Sequence, residues 1–129
     1  MDFFESDLHQ ENDPVMHSYD MEMRHLSAER IEYCLGKEPF ALRPKILQLM
    51  PCAQKEEKLE AVKAESELFL YLLEGVLSLE MREHSYVLYP GDSVQLAKGS
   101  RYGMYNRTTK PVKVLLVEPC EKEDSQKQQ

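Results

Sequence analysis

Between Glu65 and Pro119 three apolar, β-rich runs are punctuated by turn signals at intervals of about seven to nine residues. Glu74-Gly75, Arg82-Glu83-His84, Pro90-Gly91-Asp92 and Lys98-Gly99-Ser100 are these signals. The rhythm predicts short antiparallel strands closing into a sandwich or barrel. Leu68, Leu70 and Leu72 share one strand parity, and Phe69, Tyr71 and Leu73 share the other. A run that is apolar on both sides predicts a strand covered on both faces, in a barrel core or a dimer interface. Val76, Leu77 and Leu79 continue it after Gly75, Arg82 to His84 form a hairpin tip, and Tyr86 to Tyr89 return. Val94 to Leu96, Tyr102 to Asn106 and Val112 to Glu118 are the remaining strands of this stretch.

Upstream the pattern is less regular. Tyr19, Met21 and Met23 alternate with polar residues over His17 to Arg24, which predicts an edge strand. Ile31, Tyr33 and Leu35 alternate again up to Gly36, and Phe40 to Met50 reads as a strand with Pro44 near its start. Gln54 to Glu67 is helical by propensity, but Leu59 and Val62 are its only sizeable apolar residues, so a charged loop and short edge strand is expected. Residues 1–13 are an N-terminal arm that a short helix carrying Phe3, Phe4 and Leu8 could dock. Residues 14–119 form the domain, and 120–129 a polar tail expected to be disordered.

With 129 residues the chain makes one domain, and its formal charge of −7 argues against direct nucleic-acid binding, which needs clustered Lys and Arg. Cys34, Cys52 and Cys120 are widely spaced and form no Cys-x-x-Cys, so neither a zinc site nor a disulfide framework is expected, and reduced thiols in a cytoplasmic protein are. The longest apolar run, Leu68 to Leu73, is too short to cross a membrane. His9, His17 and His25 are eight apart, a spacing without ligand logic on strands and loops.

Leu72-Leu73-Glu74-Gly75, then Tyr86-Val87-Leu88 before Pro90-Gly91-Asp92, then Asn106, resemble the two sequence blocks of the cupin superfamily. The likeness covers about Ala41 to Pro119. It is nearest to the C-terminal domain of bacterial transcriptional regulators with a helix-turn-helix of the xenobiotic-response-element type. Glu67-Leu68-Phe69-Leu70-Tyr71-Leu72-Leu73-Glu74-Gly75 carries that likeness, as do the lead-in segments Arg30 to Tyr33 and Arg43 to Leu47. The resemblance implies an all-β fold, a double-stranded β-helix or jelly-roll barrel. On physical grounds Gly75, Pro90, Gly91, Asp92 and Asn106 are turn and fold residues: glycine accepts positive φ, proline presets it, and Asp and Asn bond nearby backbone.

Metal-dependent cupins converge imidazoles and a carboxylate on one ion. The family's glutamate position falls here on Leu68, with Glu67 one residue off, and its second-block histidine position falls on Tyr102. His84, at the hairpin tip, is the one histidine of the stretch. No metal, other cofactor or catalytic residue is expected, and the chain reads as a non-enzyme. The candidate pocket comprises Glu67, Leu68, Leu70, Tyr71, Tyr102 and Met104, with the Tyr102 hydroxyl as a polar anchor; the alternative is a barrel these residues simply fill.

The expected function is a sensory or dimerisation module of a transcriptional regulator, binding a small-molecule effector or serving assembly. The helix-turn-helix would lie outside this chain or act in trans. A purely structural dimerisation cupin and a cupin isomerase, epimerase or dioxygenase are the alternatives. A homodimer is expected, and no membrane partner.

Overall fold

A computed structural model describes residues 14–37, 40–51 and 62–120. The expected N-terminal arm with Phe3, Phe4 and Leu8, the tail after Cys120, and most of Gln54 to Glu67 lie outside the described residues.

Ten strands make two antiparallel sheets. The strands are β1 (Glu22–His25), β2 (Arg30–Cys34), β3 (Leu42–Leu49), β4 (Val62–Lys63), β5 (Leu68–Glu74), β6 (Leu77–Met81), β7 (Ser85–Leu88), β8 (Ser93–Leu96), β9 (Arg101–Tyr105) and β10 (Val112–Pro119). The larger sheet runs β1-β2-β3-β10-β5-β8 and the smaller β4-β9-β6-β7. This is the all-β jelly roll that the resemblance implies, with a core of inward-facing residues from both layers. Leu70, Leu72, Val112 and Val114 of the large sheet and Leu77, Leu79 and Met104 of the small one are each 3% exposed or less. Burying one such leucine stabilises the fold by roughly 1.5–3 kcal/mol.

Two expectations change. His17 to Asp20 is not strand: Ser18–Asp20 is a 3-10 turn, in which the Asp20 amide donates to the His17 carbonyl at 2.8 Å. The His17 and Tyr19 rings stack with centroids 5.2 Å apart, a local contact that an extended strand would forgo. The second concerns β5, where Leu68, Leu70 and Leu72 are buried while Phe69, Tyr71 and Leu73 are 37–41% exposed.

The turns do what their residues allow. Gly75, between β5 and β6, has φ +90°, and a Cβ there would meet the Pro111 carbonyl oxygen at 2.6 Å. Gly91 has φ +97° with open space around it. The Tyr89 amide donates to Asp92 Oδ2 at 2.8 Å, and the Gly91 amide ties the turn to the Leu72 carbonyl at 2.9 Å. Asn106 is 1% exposed; its Nδ2 donates to the carbonyls of Leu49 (2.9 Å) and Lys110 (2.7 Å), and its Oδ1 accepts from the Thr108 amide and hydroxyl. It fastens the turn before β10 to the end of β3.

Candidate functional site

The polar residues of the barrel interior come from three strands of the large sheet. Cα pairing sets Glu32 of β2 against Leu47 of β3, and Lys45 of β3 against Leu116 of β10. Leu47 is buried, so its whole parity faces inward and carries Arg30, Glu32, Lys45 and Glu118 into the barrel. Ile31 and Tyr33, the apolar parity of β2, face outward instead. From the small sheet, β9 contributes Tyr102 and Met104.

These residues surround a cavity of about 260 Å3, lined by Leu26, Arg30, Glu32, Lys45, Leu47, Leu68, Tyr102, Gly103, Met104, Leu116 and Glu118. Lys45 Nζ lies 3.0 Å from Glu32 Oε2 and 3.2 Å from Glu118 Oε2. Burial alone would lower the Lys45 pKa, but the hydrogen bond to Glu32 and the charges of Glu118 and Glu32 outweigh it and raise it above the ordinary lysine value. Arg24 reaches Glu32 from the rim at 3.9 Å. The Arg30 guanidinium donates from Nη2 to the Met104 carbonyl at 2.9 Å, joining the two sheets. Burial, and next the charge of Glu118, push the Tyr102 phenol up against the opposing pull of Arg30 and Lys45, so it stays protonated at neutral pH.

Of the sequence-predicted pocket residues, Leu68, Tyr102 and Met104 line this cavity. Three others do not. Leu70 is 1% exposed and packs in the core, two residues and roughly 6.6 Å deeper along β5 than Leu68. Tyr71 is 37% exposed on the outer face, and exposed Glu67 lines a surface groove with Phe69 and Gln95. Both carry the parity opposite to Leu68, which turns them away from the interior. Three of the four charged residues had a signal in the sequence, since Arg30, Glu32 and Lys45 are interleaved with the apolar Ile31, Tyr33, Pro44 and Ile46. Their parity does not say which side is the inside.

The ion held by metal-dependent cupins does not fit this donor set. Leu68 and Tyr102 occupy two of the positions the family gives to ligands, and Glu32 and Glu118 are both engaged by Lys45. Among the described residues no group of three His, Cys, Asp or Glu could hold a metal ion. His84 is exposed on the β6–β7 turn, its ring 5.9 Å from that of Tyr86. Among the described residues no helix is long and apolar enough to cross a membrane.

No curated protein sequence matches this chain. Solved structures do match in fold. Hydroxypropylphosphonic acid epoxidase from S. wedmorenis superposes with a TM-score of 0.70 at 15% identity, covering 84% of this chain and 60% of its own, so the chain spans about three-fifths of that enzyme's length. An RmlC-like cupin from Shewanella frigidimarina superposes with a TM-score of 0.70 at 14% identity, covering 86% of this chain and 94% of that one. A cupin-superfamily sugar phosphate isomerase from Silicibacter pomeroyi gives 0.67 at 21% identity, covering 83% and 76%. Residues 53–118, just over half of the chain, match the cupin domain, and with this jelly roll around them the chain belongs to the cupin family.

Proposed function

We propose that this chain is a non-catalytic cupin that binds a small effector inside its barrel, as the sensory and dimerisation domain of a cytoplasmic transcriptional regulator. One observation carries the reading: the barrel keeps an open cavity whose wall has Leu68 and Tyr102 where cupin enzymes place metal ligands. A pocket of mixed apolar and polar lining suits a small ligand. Among the described residues no histidine lines the cavity wall to act as general base, and the Tyr102 phenol is held protonated. Neighbours of the same fold include an epoxidase and an isomerase by name, so it is the site and not the barrel that argues for binding. The free thiols of Cys34 and Cys120 suit a reducing compartment. The resemblance to regulator domains supports the regulatory role, with DNA contact made by a helix-turn-helix outside this chain or in trans.

Dimerisation is supported by the outer face of the large sheet. Tyr33, Ile46, Leu115 and Tyr71 pair in register across β2, β3, β10 and β5, and Val117 and Phe69 form a second row. Such a stripe matches a second copy of itself about a two-fold axis.

A thermal-shift screen of the purified chain against small metabolites tests the effector reading. A concentration-dependent rise in Tm with at least one compound is expected. No stabilisation by any compound favours a purely structural dimerisation cupin, a reading supported by Leu70 and Met104 packing the barrel floor. Stoichiometric iron, manganese or zinc in the native protein would overturn the metal-free reading.

A further inference from the structure

We propose that the cavity takes a small organic carboxylate with an apolar body, its anionic end held by Arg30 and Tyr102. The proposal rests on the effector-binding reading above and adds the chemical class of the ligand.

The pairing of donors and acceptors on the cavity wall carries it. The two carboxylates there, Glu32 and Glu118, both engage Lys45, at 3.0 and 3.2 Å. Arg24 adds a second cation to Glu32. Arg30 has no such partner: among the described residues it forms no ion pair, and its guanidinium makes a single hydrogen bond, to the Met104 carbonyl. A guanidinium offers five N–H donors, so most of its capacity is uncommitted. A half-buried cation without a counter-ion is costly, and a planar carboxylate is the group that matches its fork.

Tyr102 supplies the second donor. Its hydroxyl makes no hydrogen bond among the described residues, and it lines the same cavity as Arg30. It feels the Arg30 charge, and burial keeps its proton on. A phenol O–H and a guanidinium that share one cavity can both donate to one carboxylate. The rest of the lining that is not ion-paired, Leu26, Leu47, Leu68, Gly103, Met104 and Leu116, is apolar and accepts a short branched alkyl group or a single ring. A cationic ligand would meet the Arg30 guanidinium, while both carboxylates of the wall are already engaged by Lys45.

The test compares isosteric acids and amides on the wild-type chain: benzoate with benzamide, and isovalerate with isovaleramide, titrated into 15N-labelled protein. Expected are shifts at the amides of Tyr102, Gly103 and Met104, with each acid binding about tenfold or more tighter than its amide, the worth of one charge-assisted hydrogen bond. Arg30→Met should weaken the acids by about tenfold or more and leave the amides unchanged, and Tyr102→Phe by about threefold. Amides binding as tightly as acids, or acids unaffected by Arg30→Met in a folded variant, would overturn the proposal. If Arg30→Met does not fold, the acid–amide ratio on the wild-type chain decides. Neutral metabolites that bind at Tyr102 and Met104 while neither acid does would sink the carboxylate assignment and leave the effector pocket standing. A metabolite screen without any binder would remove both.

Discussion

Lys45 and Glu32 form an ion pair at 3.0 Å on the inner wall of a β-barrel, where the Glu32 side chain is 11% exposed. Breaking a pair of this burial from one side strands the other charge. Lys45→Met should therefore destabilise the chain by about 3 kcal/mol, as removing one partner of a buried ion pair does. The effect is pH-dependent with a defined sign. The Lys45 pKa is raised on folding, so its contribution is fully present below the ordinary lysine value of about 10.4 and is lost as pH rises through the folded value. The raised Tyr102 pKa acts in the same direction. Urea midpoints between neutral pH and pH of about 11.5 should fall steeply at the alkaline end for the wild type and less steeply for Lys45→Met. A parallel decline in both would contradict the assignment.

Gly75 and Gly91 both hold positive φ, yet they should respond differently to alanine. At Gly91 nothing lies within 4 Å of the added Cβ, so the cost is the backbone conformation alone, about 1–2 kcal/mol. At Gly75 the Cβ would meet the Pro111 carbonyl oxygen at 2.6 Å and the Val112 Cα at 2.9 Å, atoms of the main chain that have no rotamer to escape into. About 3–5 kcal/mol is expected there, from strain and overpacking together. Equal midpoints for the two variants in chemical denaturation would show that the close approach of β10 is not limiting.

Asn106 uses its carboxamide in both senses, donating to two carbonyls and accepting from Thr108. Asn106→Ala leaves the Leu49 carbonyl short of a partner in a buried place and should cost about 3 kcal/mol. Asn106→Asp sets a carboxylate against those two carbonyls and should cost more at neutral pH. A carboxyl so placed has a raised folded pKa, and the variant should regain stability as pH falls through that raised value, with the recovery complete below the ordinary Asp value of about 3.9. Thermal melts of the two variants at neutral and acidic pH separate the cases. An Asp variant that weakens further in acid, relative to Ala, would refute the polarity of this site.

Tyr71, on the outer stripe, should not matter for the monomer's fold. In the proposed dimer, Tyr71→Lys places like charges across the two-fold axis. Sedimentation equilibrium should show a dimer for the wild type at micromolar concentration and a monomer for the variant, with unchanged circular dichroism. A monomeric wild type would end the dimer proposal.

Much of this barrel was legible in period two. Leu68 to Leu73, Val112 to Glu118 and the glycine turns fix strand existence, because alternation and positive-φ residues act locally. What alternation could not convey was sidedness. Ile31 and Tyr33 look like a core face, but Arg30 and Glu32 are the inward pair, since the decision rests on the register with β3 and the buried Leu47. Depth was hidden for the same reason: Leu68 and Leu70 share a parity, yet only the first reaches the cavity. The turn at Ser18–Asp20 escaped because it is closed by backbone bonds, Asp20 N–H to the His17 carbonyl and Met21 N–H to that of Ser18, which polarity patterns do not encode.

The Arg30 bond to the Met104 carbonyl spans the gap between the two layers, one end rooted in β2 and the other in β9. It acts as a strut of fixed length, and the width of the chamber beside it is set by a side chain rather than by a loop. A guest that draws the guanidinium toward itself therefore loads both walls at once. Under the proposed effector reading, occupancy of the cupin barrel would then be registered as a change in the spacing of its sheets.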